Sequence, residues 1–250
     1  MRILVIAIAA LVGLLLGGAM NLVVYRLPRQ RPLFRRPRAV CCGHSLSWEV
    51  IPLLGYLVQG GRCRHCGQAI PRFFPLLELL TAAVFAVLFW RYEEVLLLAG
   101  LYAVFAAGLI VILFIDWLHH DIYYIVIIPL VALALLGALL QLDGHPTFLY
   151  SLLGLGIGTV FFGLLFFFGQ VLFHSQALGL GDVWLAGTIG AMSGFPGVGL
   201  ALSVGMIMAG LGGGLLLLLR RGSPRDYMPY GAFLCLGALV YLCFWAPWSL

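Results

Sequence analysis

Two aspartates at the edges of apolar runs are the residues best placed to do chemistry. Asp182 closes Gly179-Leu180-Gly181-Asp182, a glycine-bearing turn between two long apolar runs, and Asp116 ends another such run earlier in the chain. A carboxylate at the edge of hydrocarbon is costly unless it is hydrated, paired or protonated. Two that approach each other cannot both ionise easily, so one is held protonated near neutral pH. A protonated acid beside a carboxylate is the equipment for peptide hydrolysis: one group takes a proton from water, the other donates to the scissile carbonyl. Gly179 and Gly181 are expected to support the pair by adopting positive φ and letting an extended substrate come close. The plainer reading is a helix-capping Asp on a glycine loop. With 32 Gly in the chain, the pattern G-x-G-D arises by chance about 0.1 times, so it is suggestive alone and stronger with Asp116. Asp121 is the rival partner for Asp182. His119 and His120 read as interfacial polar residues rather than a general base.

The cysteines offer a second chemistry. Cys63-Arg64-His65-Cys66, followed by Gly67, is half of a zinc knuckle, in which the turn directs two thiolates to one tetrahedral ion. The other half, Cys41-Cys42-Gly43-His44, is irregular. Adjacent cysteines do not chelate one ion comfortably, so Cys41 or Cys42 is the expected third ligand, with His44 available as a fourth. A structural zinc would hold together a loop too short for much of a core; the alternative is reduced thiols in a small folded loop. Cys235 and Cys243 lie in an apolar run and read as inert buried thiols.

The elements that position these groups follow from composition. The chain is 63% hydrophobic and 9% charged, far below the charge of a soluble domain. Continuous runs such as Val95 to Ile115 exclude the alternating pattern of a transmembrane barrel. The fold class is therefore all-α: a polytopic helical membrane protein of about eight transmembrane helices with one cytoplasmic Cys-containing loop domain. The runs place helices at about 3–24, 73–90, 95–115, 122–140, 148–173, 183–194, 197–219 and 230–248, the sixth short enough to be re-entrant. The domain reading is a first transmembrane helix at 1–25, a basic Cys loop at 26–72, and a membrane domain at 73–250. The first run lacks a strongly basic front and reads as a retained helix rather than a signal peptide.

All 14 basic residues are Arg, and nine of them fall in 26–72 with three more in 220–225. With eight spans these two segments share a side, which the positive-inside rule makes cytoplasmic. The same parity puts Asp116 and Asp182 on that side at one depth. The Arg-rich, Pro-bearing stretch from Arg26 to Arg38 also suits anionic lipid headgroups; membrane lipid is an expected partner and nucleic acid is not. Glu78, a charge early in an apolar helix, lies either near a substrate or beside a loop Arg.

Taken in order, these segments resemble a known family. Gly17-Gly18-Ala19-Met20-Asn21 through Tyr25-Arg26-Leu27-Pro28, the loop from Trp48 to Cys66, Pro75-Leu76-Leu77-Glu78, Phe114-Ile115-Asp116 with Pro129, Gly179-Leu180-Gly181-Asp182 and Pro229-Tyr230-Gly231 are similar to the blocks of the bacterial type IV prepilin peptidases. The resemblance covers nearly the whole chain. It implies an intramembrane aspartic protease of the G-x-G-D type, with Asp116 and Asp182 as catalytic acids. It would cleave the short basic leader of type IV prepilin or pseudopilin precursors on the cytoplasmic side of a bacterial inner membrane. It further implies methylation of the new N-terminus from S-adenosylmethionine, and a zinc site at the loop cysteines. The chain departs from the family pattern where Ala39 stands for a first Cys, Tyr123-Tyr124 for Pro-Asp, Trp184 for Lys and Ala19 for Ser.

Two other classes of function compete. A transporter or proton channel would use intramembrane carboxylates near the bilayer midplane, within broken helices in related halves. A scaffold that docks partners through a zinc loop would need Cys63 and Cys66 but neither aspartate.

Overall fold

The computed structural model describes residues 2–32, 52–173, 178–218 and 229–246. In hydrocarbon the backbone must satisfy its own hydrogen bonds, and a chain this apolar does so by winding into helices. Among the described residues there is no strand, only an isolated bridge between Arg62 and Ala69. The helices are α1 (Arg2–Arg26), α2 (Leu54–Val58), α3 (Phe73–Arg91), α4 (Leu96–His119), α5 (Tyr124–Leu139), α6 (Phe148–Phe173), α7 (Leu180–Ser193), α8 (Gly197–Leu218) and α9 (Tyr230–Phe244). Eight of them stand where the apolar runs place them, within a few residues. The short α2 was not expected. Five, namely α1, α3, α4, α6 and α8, are long and apolar enough to cross a membrane, whereas α5 and α9 are shorter apolar helices and α7 has 14 residues.

The chain forms two compact units, Met1–Glu93 and Glu94–Leu250. In the first, α1 packs along α3, which the sequence reading had grouped with the segment that follows it. Contact is close because Gly17 has no side chain: a Cβ there would lie 2.7 Å from the Glu78 Cα. The loop between them carries α2 and the Cys63 turn.

The second unit is built around α4. Eight consecutive residues, Leu109 to Asp116, are buried, and eight residues cover every face of a helix, so this end of α4 is surrounded. Helices α5 and α9 lie against it, α7 lies against α5, α6, α8 and α9, and α8 against α9. The tightest pair is α6–α7, where a Cβ on Gly154 or Gly190 would collide with the backbone of the opposite helix. The outer face of α6 exposes Leu152, Val160, Leu164 and Phe167, as a lipid-facing surface would.

Candidate active site

Each aspartate is set by the end of a helix. Asp116 lies in the last turn of α4, which ends when His120 takes a left-handed conformation at φ 56° and its N–H donates to the Asp116 carbonyl at 2.9 Å. Asp182 is the third residue of α7. Its Oδ2 accepts the N–H of the N-cap Gly179 at 2.9 Å. The Asp182 N–H donates to the Gly179 carbonyl at 3.1 Å. Asp182 was expected in a turn ahead of the helix; the helix instead starts at Leu180 and includes it.

The glycines of the motif work differently from the expectation. Gly179 is extended at φ −90°, and Gly181 is not among the residues of positive φ. What Gly181 supplies is space: a Cβ there would stand 2.9 Å from the Ile122 Cβ. Ile122, in the connection just before α5, is thereby wedged against the motif.

A third element, the Pro229-Tyr230-Gly231 block at the start of α9, completes the site. Pro229 precedes α9 and offers no side-chain cap to the helix's orphan N–H groups. Asp116 supplies one from another helix: its Oδ2 accepts the Ala232 N–H at 2.7 Å. Beside this bond, the position that a Cβ on Gly231 would occupy is 3.0 Å from Asp182 Oδ1 and 3.1 Å from Asp116 Oδ2. The two carboxyl oxygens therefore lie no farther apart than those distances together. Asp116 and Asp182 are both buried, at 3% and 4% exposure, and they are the buried carboxylates among the described residues of a unit whose core is mostly apolar. The sequence carried a signal for Gly231 in the Pro229-Tyr230-Gly231 block, but nothing local says that this turn faces the aspartates.

The remaining candidates separate from this centre. Asp121 is exposed in the α4–α5 connection and bonds the Tyr123 hydroxyl, whose pKa is pushed up by burial and by that carboxylate. Tyr124 and Trp184 stand at two positions where the family pattern has charged residues; both are about half exposed, and their rings meet edge to face at 6.3 Å. Glu78 belongs to the first unit. Its partners there are the Asn21 side chain and the Leu53 N–H, so the described structure gives it no loop Arg.

Cys63 is buried and Cys66 exposed. Gly67, at φ +71°, closes their turn and donates its N–H to the Cys63 carbonyl at 2.8 Å. The turn thus has the form a knuckle needs, and two soft thiols suit zinc. Cys41 and Cys42, with His44, lie outside the described residues. No group of three or more metal-binding side chains occurs among the described residues.

Comparison with known proteins follows the same division. A family described as Bacterial Peptidase A24 N-terminal domain matches residues 11–92, and one described as Type IV leader peptidase family matches residues 103–218. The chain is similar to proteins named prepilin leader peptidase/N-methyltransferase. That of Myxococcus xanthus is 34% identical over 85% of this chain and 64% of the relative, under two thirds of its length. That of Dichelobacter nodosus is 30% identical over 93% of this chain and 89% of the relative. That of Pseudomonas aeruginosa is 27% identical over 93% and 88%. No solved structure matches the chain significantly.

Proposed function

We propose, for a chain that belongs to the type IV leader peptidase family, that it is a membrane aspartic endopeptidase acting on type IV prepilin or pseudopilin precursors and a methyltransferase for the N-terminus so exposed. The observation that carries the reading is the convergence of Asp116 and Asp182 on Gly231. Two carboxyl groups at that separation can hold one water between them. One carboxylate takes a proton from the water as its oxygen attacks the scissile carbonyl carbon. The other, protonated, gives its proton to the carbonyl oxygen. The tetrahedral intermediate then collapses as the leaving amine is protonated. Backbone N–H groups from Ala232 and Gly179 fix the two side chains, so neither has to be reoriented during the reaction. Both acids sit at helix ends rather than mid-helix, which suits hydrolysis at a membrane surface better than conduction across it.

In this reading all eight apolar helices are embedded in a bacterial inner membrane. The Arg-rich segments 26–72 and 220–225 then share the cytoplasmic side, and the aspartates lie at that face. A basic leader ahead of an apolar stem would present its junction there. Zinc, held by Cys63 and Cys66 with Cys41 or Cys42 and His44, would stabilise the loop; the methyl group would come from S-adenosylmethionine.

The test is mass analysis of a prepilin incubated with the purified full-length chain in detergent. The wild-type chain should remove the leader mass, and S-adenosylmethionine should add one methyl mass to the product. Cleavage that persists in Asp182→Ala would sink the peptidase reading, and a product that never gains the methyl would sink the second activity.

A further inference from the structure

The first unit buries a polar cluster that the peptidase does not use. Asn21 on α1 and Glu78 on α3 are 2% and 6% exposed, inside helices apolar enough to cross a membrane. Ionisable groups at such positions are rare and tend to mark a path or a site. The Asn21 Nδ2 donates to Glu78 Oε1 at 2.8 Å and to the Phe74 carbonyl at 3.2 Å, which fixes the orientation of the amide. The Leu53 N–H donates to Glu78 Oε2 at 2.7 Å. On the same amide, Asn21 Oδ1 is buried and has no partner among the described residues. Each carboxylate oxygen keeps a second lone pair. The cluster is thus rich in acceptors and short of donors.

A staple between α1 and α3 would explain the Asn21–Glu78 bond. It leaves two facts over. One is the orphaned Asn21 oxygen, whose burial costs about 1–3 kcal/mol if nothing ever pairs with it. The other is Leu53, a non-glycine residue held at φ 58°, ψ −50°. A bulky residue with positive φ is strained and persists only where its surroundings hold it there. Both are explained if the Leu53 N–H is a placeholder, occupying an acceptor site whose proper occupant brings several N–H donors and a positive charge.

Resting on the methyltransferase reading above, we propose that Asn21 and Glu78 bind the primary amine at the new N-terminus of the processed precursor. An ammonium group presents three N–H donors. Glu78 Oε2, Glu78 Oε1 and Asn21 Oδ1 offer matching acceptors, and the carboxylate balances the charge. Release of Leu53 from its strained conformation offsets part of the cost of opening the site. The peptidase acids belong wholly to the other unit, so this site is free to serve the second reaction.

The experiment is a binding measurement without methyl donor, using the full-length chain in detergent and a processed pilin labelled away from its N-terminus. The free-amine form is compared with the same protein acetylated at its N-terminus. Wild type should bind the free amine at least about tenfold more tightly, the factor expected for hydrogen bonds to a charged group. Glu78→Gln and Asn21→Ala should each erase that preference and leave the acetylated form bound as in wild type. A preference that survives both substitutions, or is missing from wild type, overturns the proposal. So does a Glu78→Gln variant that loses both forms alike, since that marks a structural residue. Failure of the methyltransferase reading shows separately, as a product that gains no methyl mass although the amine preference is present.

Discussion

At Gly231 a hydrogen in place of a methyl decides how close two carboxylates come. Gly231→Ala would place a carbon 3.0 Å from Asp182 Oδ1 and 3.1 Å from Asp116 Oδ2, at the place proposed for the attacking water. Its remaining close neighbour is the end of the Ile122 side chain, which can move. The expected outcome is a fall in prepilin cleavage of about 100-fold, carried by kcat with KM little changed, in a protein that still folds. Gly181→Ala acts instead through Ile122. Its Cβ would press on the branched carbon of that residue, and removing that carbon, as in Gly181→Ala with Ile122→Gly, should restore part of the lost activity. His145 poses a residue-scale question of stability. It is buried with Nε2 3.0 Å from the Ala134 carbonyl, and burial pushes its pKa below the usual imidazole value. The unfolded chain binds that proton more readily, so the stability His145 contributes is full above about pH 6.5 and declines as pH falls toward the lowered folded value. The thermal midpoint should drop on acidification through that window, and the drop should shrink in His145→Leu.

The α6–α7 pair shows how much a helix contact can depend on small residues. Gly154 and Gly190 face each other across backbones too close for any side chain. Gly190→Val should therefore cost about 3 kcal/mol or more, read as a lowered midpoint of unfolding in detergent, and it should take cleavage with it because α7 carries Asp182. At this scale the sequence was informative wherever one helix is enough. Runs of apolar residues locate α1 and α3 to α9, since hydrocarbon leaves a chain few alternatives to a helix. Boundaries were less legible. Gly179-Leu180-Gly181-Asp182 looks like a turn because its two glycines are poor helix formers, yet Asp182 accepts the Gly179 N–H and caps the helix from inside its first turn. The Asp116–Ala232 bond spans 116 residues of sequence, and no local pattern announces that an acid on α4 caps α9. Similarly, nothing local in Asp143-Gly144-His145-Pro146 marks His145 as a core residue, and only the folded α4–α5–α6 corner buries it against Tyr102 and Phe105.

At the scale of the whole chain, the two compact units coincide with the two family matches, residues 11–92 and 103–218. Asp116 and Asp182 were legible as a candidate pair because their motif blocks stand in the family's order. The amine site proposed for Asn21 and Glu78 was not, since Glu78 alone could not disclose its partners. The division predicts separable activities. Asp182→Asn should stop cleavage while pre-cleaved pilin is still methylated, which product masses will show. The most direct measurement of the central claim is the cleavage rate of one prepilin by wild type, Asp116→Asn, Asp182→Asn and the double variant, with asparagine chosen because it keeps an acceptor for Ala232 or Gly179. Groups that act as one unit are strongly non-additive. Each single substitution should lower the rate by at least about 1000-fold, and the double variant should be no slower than the singles. Losses that multiply in the double variant, or a single variant that cleaves at the wild-type rate, would contradict a shared site at Gly231.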